Sequence, residues 1–127
     1  MKLKTDQFGE IEFSEDLILK FEEGLYGFEQ LKKYLLIKTD DDLFYWLTSV
    51  DRPEICFPLV GTRIIDENYP EEEHYEAFAI VTLNKDPLLI TANLKAPVYI
   101  NQERKVGFQK IIDTDKYPIN YKLFVES

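Results

Sequence analysis

Between Asp66 and Glu76 the chain places six carboxylates, two tyrosines and its single histidine, with no lysine or arginine among them. Three chemistries are open to such a set. Carboxylates with one imidazole can ligate a metal. However, His74 in Glu71-Glu72-Glu73-His74-Tyr75-Glu76 has no second histidine or cysteine at ligand spacing, so no metal and no cofactor is expected. General acid–base catalysis needs two carboxylates held in different environments at a fixed separation, and a plain run of acids carries no such mark. The third chemistry is electrostatic. Crowded like charges repel one another, a basic partner relieves that repulsion and is steered in faster, and tyrosines within the run add apolar contact. Asp66, Glu67, Tyr69, Glu71, Glu72, Glu73 and Glu76 are therefore the candidate partner-binding residues, with an ordinary solvated loop as the alternative. Asp40-Asp41-Asp42 is a second acidic cluster that better fits a strand-connecting turn.

Other catalytic signatures are missing. Cys56, flanked by Ile55 and Phe57, has the setting of a small core hydrophobe and lacks the positive surroundings of an activated thiolate. No serine lies in a nucleophile elbow, and Gly24-x-x-Gly27 is too short for a phosphate loop.

Charge extends the electrostatic argument. The net charge of −9 is uneven: residues 1–76 hold 19 acidic and 8 basic side chains, residues 77–127 hold 5 and 7. Phosphate binding depends on clustered Lys and Arg, so nucleic acid is not expected as a direct partner. A basic protein partner, or solubility alone, accounts for the excess. One cysteine permits no internal disulfide, and no apolar run reaches the roughly 18 residues of a membrane span. The opening residues lack the apolar core of a signal peptide, so a cytoplasmic location and no membrane partner are expected.

The elements that must carry these residues read as short strands: 2–5, 8–13, 17–21, 34–38, 43–49, 55–60, 63–66, 77–83, 89–101, 104–112 and 120–125. Only 28–33 has the makings of a helix, about one turn long. From Ile90 to Asn101 every even position is apolar, which predicts one long strand with its even row in a core. Pro97 interrupts it, and a strand bent near its middle suits a curved, barrel-like sheet. Leu43-Phe44-Tyr45-Trp46-Leu47 is apolar at both parities, implying burial on two faces or an aromatic surface. An all-β barrel or sandwich follows, in one domain spanning 1–127.

Four segments resemble the FliW family of flagellar assembly factors. Gly24-Leu25-Tyr26-Gly27-Phe28-Glu29 is similar to the family's Gly-Ile/Leu-Pro-Gly-Phe turn, and Leu47-Thr48-Ser49-Val50 to its Leu-Gln-Ser stretch. Ala92-Asn93-Leu94-Lys95-Ala96-Pro97-Val98-Tyr99-Ile100-Asn101 resembles its Ala-Asn-Leu-x-Ala-Pro-Ile/Val-x-Ile-Asn signature, the most specific of the four. Gln109-Lys110-Ile111-Ile112 stands where the family carries Gln-Val-Ile-Leu. Tyr26 departs from the usual proline, Thr48 from the usual glutamine, and the link from Tyr69 to Ala77 is shorter than in relatives with a helical insert.

The resemblance implies a small antiparallel β-barrel with many short strands and at most one or two short helical turns. It also implies a non-enzymatic regulator that binds the C-terminal helical region of flagellin and, when free, the dimeric RNA-binding repressor CsrA, relieving repression of flagellin synthesis. That favours docking for 66–76. Gly24, Gly27, Asn93, Pro97 and Asn101 are read as structural, the glycines for backbone freedom and the asparagines for bonding backbone at bends. The competing classes are a small-ligand-binding barrel and a hydrolase with an unrecognised carboxylate site.

With eleven surplus negative charges in residues 1–76, the chain alone should not retard flagellin leader RNA in a gel shift at physiological salt. A shifted band without any other protein present would contradict this.

Overall fold

The computed structural model describes residues 1–38 and 43–125. Two strands, β1 (Lys2–Thr5) and β2 (Gly9–Glu12), form an N-terminal antiparallel hairpin. Seven more close a ring: β3 (Leu19–Lys20), β4 (Lys33–Lys38), β5 (Phe44–Ser49), β6 (Cys56–Gly61), β7 (Glu76–Thr82), β8 (Thr91–Asn101) and β9 (Val106–Gln109). Neighbours pair antiparallel in chain order from β3 to β9, and the ring shuts where β9 meets β3 in parallel at one bridge, Lys20 with Val106. A last short strand, β10 (Tyr121–Lys122), pairs with the start of β8. The all-β barrel expected from the sequence is what forms.

Strand β8 governs the layout. Phe78 faces Val98 across the β7–β8 ladder, but Ile80 faces Asn93, so β8 spends three more residues than β7 between the same two rungs. Because side chains alternate with period two, an odd excess turns the strand over. Val98 and Ile100 point into the barrel core with Phe21, Tyr34, Leu47 and Phe78. Ala92 and Leu94 instead join an outer cluster with Val60, Tyr69, Ala79 and Tyr117. The sequence pattern predicts a single even row serving one core; the even row serves two. Pro97 sits in this bulge, where no ladder bond to β7 is required of it.

The aromatic run on β5 is packed on both sides, its rings half-buried: Tyr45 and Leu47 pack against the barrel core, Phe44 against the outer cluster, and Trp46 meets Phe8 of the hairpin edge-on at 5.7 Å. A third cluster of Leu3, Phe13, Ile18 and Leu35 seals the hairpin onto β4.

Three local expectations need correction. Residues 63–66 are not a strand; Thr62–Ile65 form one helical turn, α1, directly after β6. Residues 28–33 begin no helix, because the chain there runs through the tight Gly24–Phe28 turn into β4. Short helical turns number three among the described residues rather than one or two, the others at Glu15–Leu17 and Pro87–Leu89. Asp40-Asp41-Asp42 lie outside the described residues. No helix is long and apolar enough to cross a membrane among the described residues.

Two core positions give opposite expectations. A β-carbon at Gly107 would stand 2.4 Å from the ring of Phe21, which is fully buried. Gly107→Ala should therefore cost about 1–3 kcal/mol in urea unfolding. The hydroxyl of Tyr34 is buried with no hydrogen-bond partner among the described residues, and burial pushes its pKa up to about 12. Tyr34→Phe should be neutral or stabilising, since it removes a polar atom that gains nothing inside. A loss above about 1 kcal/mol would show that the hydroxyl is bonded in solution.

Candidate functional site

After α1 the chain runs as a strap from Asp66 to Glu76 over the outside of the barrel, and aromatic and charged clips fix it there. Tyr69 is only 2% exposed; its hydroxyl donates to the Leu94 carbonyl in the β8 bulge, and its ring lies 4.7 Å from that of Tyr117. Tyr99 donates to the Pro70 carbonyl at 3.0 Å, and burial pushes its pKa up to about 12. Tyr75 meets Phe108 edge-on at 5.1 Å, and Phe108 stacks on Tyr99 at 5.2 Å. His74 takes a positive φ of 72°, which bends the strap back towards β7.

The acids divide by what they touch. Asp66 accepts from the Asn68 N–H and from the Tyr117 hydroxyl, both at 2.9 Å, with Lys116 at 3.8 Å. The Asn68 bond first and the Tyr117 bond second hold its carboxyl below the usual range. Glu71 pairs with Arg63 of α1, and Glu72 with Lys110 beyond β9. Lys110 also lies 5.4 Å from the Tyr99 ring centroid. Glu67, Glu73 and Glu76 are exposed and meet no lysine or arginine among the described residues; Glu73 has only His74, at 3.5 Å.

Of the seven residues singled out from sequence, then, three present free charge and three hold the strap in place. Tyr69, the seventh, is buried, its ring in the outer cluster and its hydroxyl on the Leu94 carbonyl. Sequence inspection missed Arg63 and Lys110, since both counter-charges lie outside the acidic run and reach it only through the fold.

Between the strap and α1 lies a cleft of about 610 Å³, bordered by Tyr45, Arg63, Ile64, Glu73, Tyr75 and Glu76. Ile64 at its edge is 65% exposed. No three His, Cys, Asp or Glu side chains converge to hold a metal ion among the described residues. Cys56 is half-buried against Thr48, sulfur to oxygen 3.1 Å, and burial pushes its thiol up.

Three of the four signature segments meet around the β8 bulge. Asn93 accepts from the N–H groups of Lys95 and Ala96, both at 3.1 Å, and so closes the bulge; Asn101 accepts from the Arg104 N–H at 2.8 Å and starts the turn into β9. Gly24 has φ +68°, and a β-carbon there would stand 2.7 Å from the Cα of Glu29, so its place admits no side chain; Gly27 also lies at positive φ, +88°. The Gln109 carboxamide joins the parts: it accepts from the Tyr26 N–H and donates to the Ala96 carbonyl, both at 2.9 Å. Only its two-ended amide, with donor and acceptor on one group, hinted at this in the sequence.

Comparison with known proteins agrees with these features. A family model described as FliW protein matches residues 2–123. The flagellar assembly factor FliW of Caldicellulosiruptor saccharolyticus is 39% identical over 136 aligned positions, covering 96% of this chain and 90% of the relative. That of Caldanaerobacter subterraneus is 37% identical over 142 positions, covering 99% and 95%. Both alignments are longer than the 127 residues here, so these relatives carry residues that this chain lacks. A crystal structure of the flagellar assembly factor FliW superposes with a TM-score of 0.89 at 28% identity, covering 99% of each chain. The signature strand, the glycine turn and the barrel they build thus belong together, and the chain is a member of the FliW family of flagellar assembly factors.

Proposed function

We propose that this protein is a cytoplasmic, non-enzymatic regulator, a single FliW-like domain over 1–127 that binds flagellin through its C-terminal helical region. When free of flagellin, it binds a CsrA-type RNA-binding dimer and relieves repression of flagellin synthesis. Family membership carries this reading, and the acidic strap supports it physically. An RNA-binding repressor must present basic surface, and Glu67, Glu73 and Glu76 offer it exposed charge that no lysine or arginine takes up among the described residues. A ligand-binding barrel is not favoured, because the barrel interior is filled by Tyr34, Phe21, Phe78 and their neighbours. A hydrolase is not favoured either, because Glu71 and Glu72 are engaged by Arg63 and Lys110.

Purified flagellin should bind this chain one-to-one in calorimetry, with and without chelator, since no cofactor takes part. Absence of heat at tens of micromolar would remove the central reading.

The strap separates two kinds of variant. Changing Glu67, Glu73 and Glu76 together to glutamine should slow association with CsrA and flatten the salt dependence of binding. The melting temperature should move little, because exposed charges contribute little to stability. Changing Glu71 and Glu72 to glutamine should instead loosen the strap, read as faster amide exchange over 71–76. Equal CsrA affinity of the triple variant and the parent across a salt series would move the partner surface to another face.

A further inference from the structure

Arg63 and Ile64 are adjacent on α1 and both border the cleft, yet they have opposite consequences for what enters it. We infer that the cleft accepts a cationic protein segment bearing an apolar side chain, with Ile64 as the apolar contact and Arg63 as a built-in competitor for the segment's positive charge. The inference rests on the docking reading above and names the chemistry of the occupant.

The carboxylates on the cleft are not equivalent. Glu73 and Glu76 have no lysine or arginine partner among the described residues, so an incoming cation meets at most the exposed His74 beside Glu73. Glu71 is already held by the Arg63 guanidinium, and a second cation reaches it only by taking Arg63's place. Charge alone would leave the segment loosely held. Ile64, 65% exposed beside the half-buried Tyr75, gives an apolar side chain somewhere to bury surface.

The occupant is a protein segment rather than a small cation, because Arg63, Ile64, Glu71, Glu73 and Glu76 are all exposed. A small ligand there would keep much of its surface in water, unlike ligands of enclosed pockets. The four carboxylates on the cleft exclude nucleic acid on charge.

The test uses the full chain, a short synthetic peptide of arginine and leucine, and spermine as a small cation without apolar groups. Ile64→Ser and Arg63→Gln alter exposed side chains; Arg63→Gln also frees Glu71, but the Lys110–Glu72 pair and the Tyr69 and Tyr99 hydroxyl bonds still hold the strap. Peptide binding should shift the Ile64 methyl resonance. Ile64→Ser should weaken it by about five-fold or more, as loss of an apolar anchor does. Arg63→Gln should tighten it by roughly two- to five-fold, the range that freeing an exposed ion-paired carboxylate allows.

Weaker binding by Arg63→Gln, unchanged binding by Ile64→Ser, or spermine binding as tightly as the peptide would overturn the inference. Titrating flagellin and CsrA into the same variants separates the two levels. If neither protein binds while the peptide follows the expected pattern, the regulatory reading fails and the cleft stands. If either protein binds but peptide and proteins alike ignore both substitutions, the cleft inference fails and the regulatory reading stands.

Discussion

Everything distinctive in this barrel depends on the three residues by which β8 outruns β7. An even excess would have kept Ala92, Leu94, Val98 and Ile100 on one face, with a single core to serve. The odd excess turns the strand over, and one continuous element thereby belongs to the barrel interior at one end and to the outer cluster at the other. Backbone polar groups freed in the bulge must still be satisfied. Asn93 takes two N–H groups, Gln109 takes the Ala96 carbonyl, and the Leu94 carbonyl goes to Tyr69. That last bond ties the strap to the barrel, so the bulge positions the surface as well as the core.

The glycine turn at Gly24 is recruited by the same device. Where the resemblance leads one to expect proline, Tyr26 has an N–H, and Gln109 accepts from it. A proline at that position has no such hydrogen to give. This departure from the family pattern thus adds a tie between the glycine turn and the strand signature.

Much of the fold was legible in the sequence, because short apolar runs between turn residues leave little choice but strands. β1, β4, β5, β6 and β7 lie within a residue or two of where periodicity places them. What periodicity cannot register is a change of face, since alternation looks the same on either side of an odd bulge. The strand expected at 63–66 failed for a related reason. Arg63-Ile64-Ile65 has β-branched character, but Ile64 is exposed, and the segment forms a turn that redirects the chain into the strap. The acidic run was easy to see; its division into free and engaged carboxylates was not. Arg63 lies before the run and Lys110 more than thirty positions after it, so only the closed barrel brings the charges together.

Trp46 is the chain's single tryptophan, and it is committed to the N-terminal hairpin, edge-on to Phe8, not to the strap or its cleft. Its emission is therefore a private signal of how that hairpin sits on β5. Lifting the hairpin would expose the indole to water and redden the spectrum, whereas a segment entering the cleft would leave the indole's surroundings as they are. An optical silence on mixing with a partner would thus carry information of its own: the hairpin stayed seated while the other face was occupied.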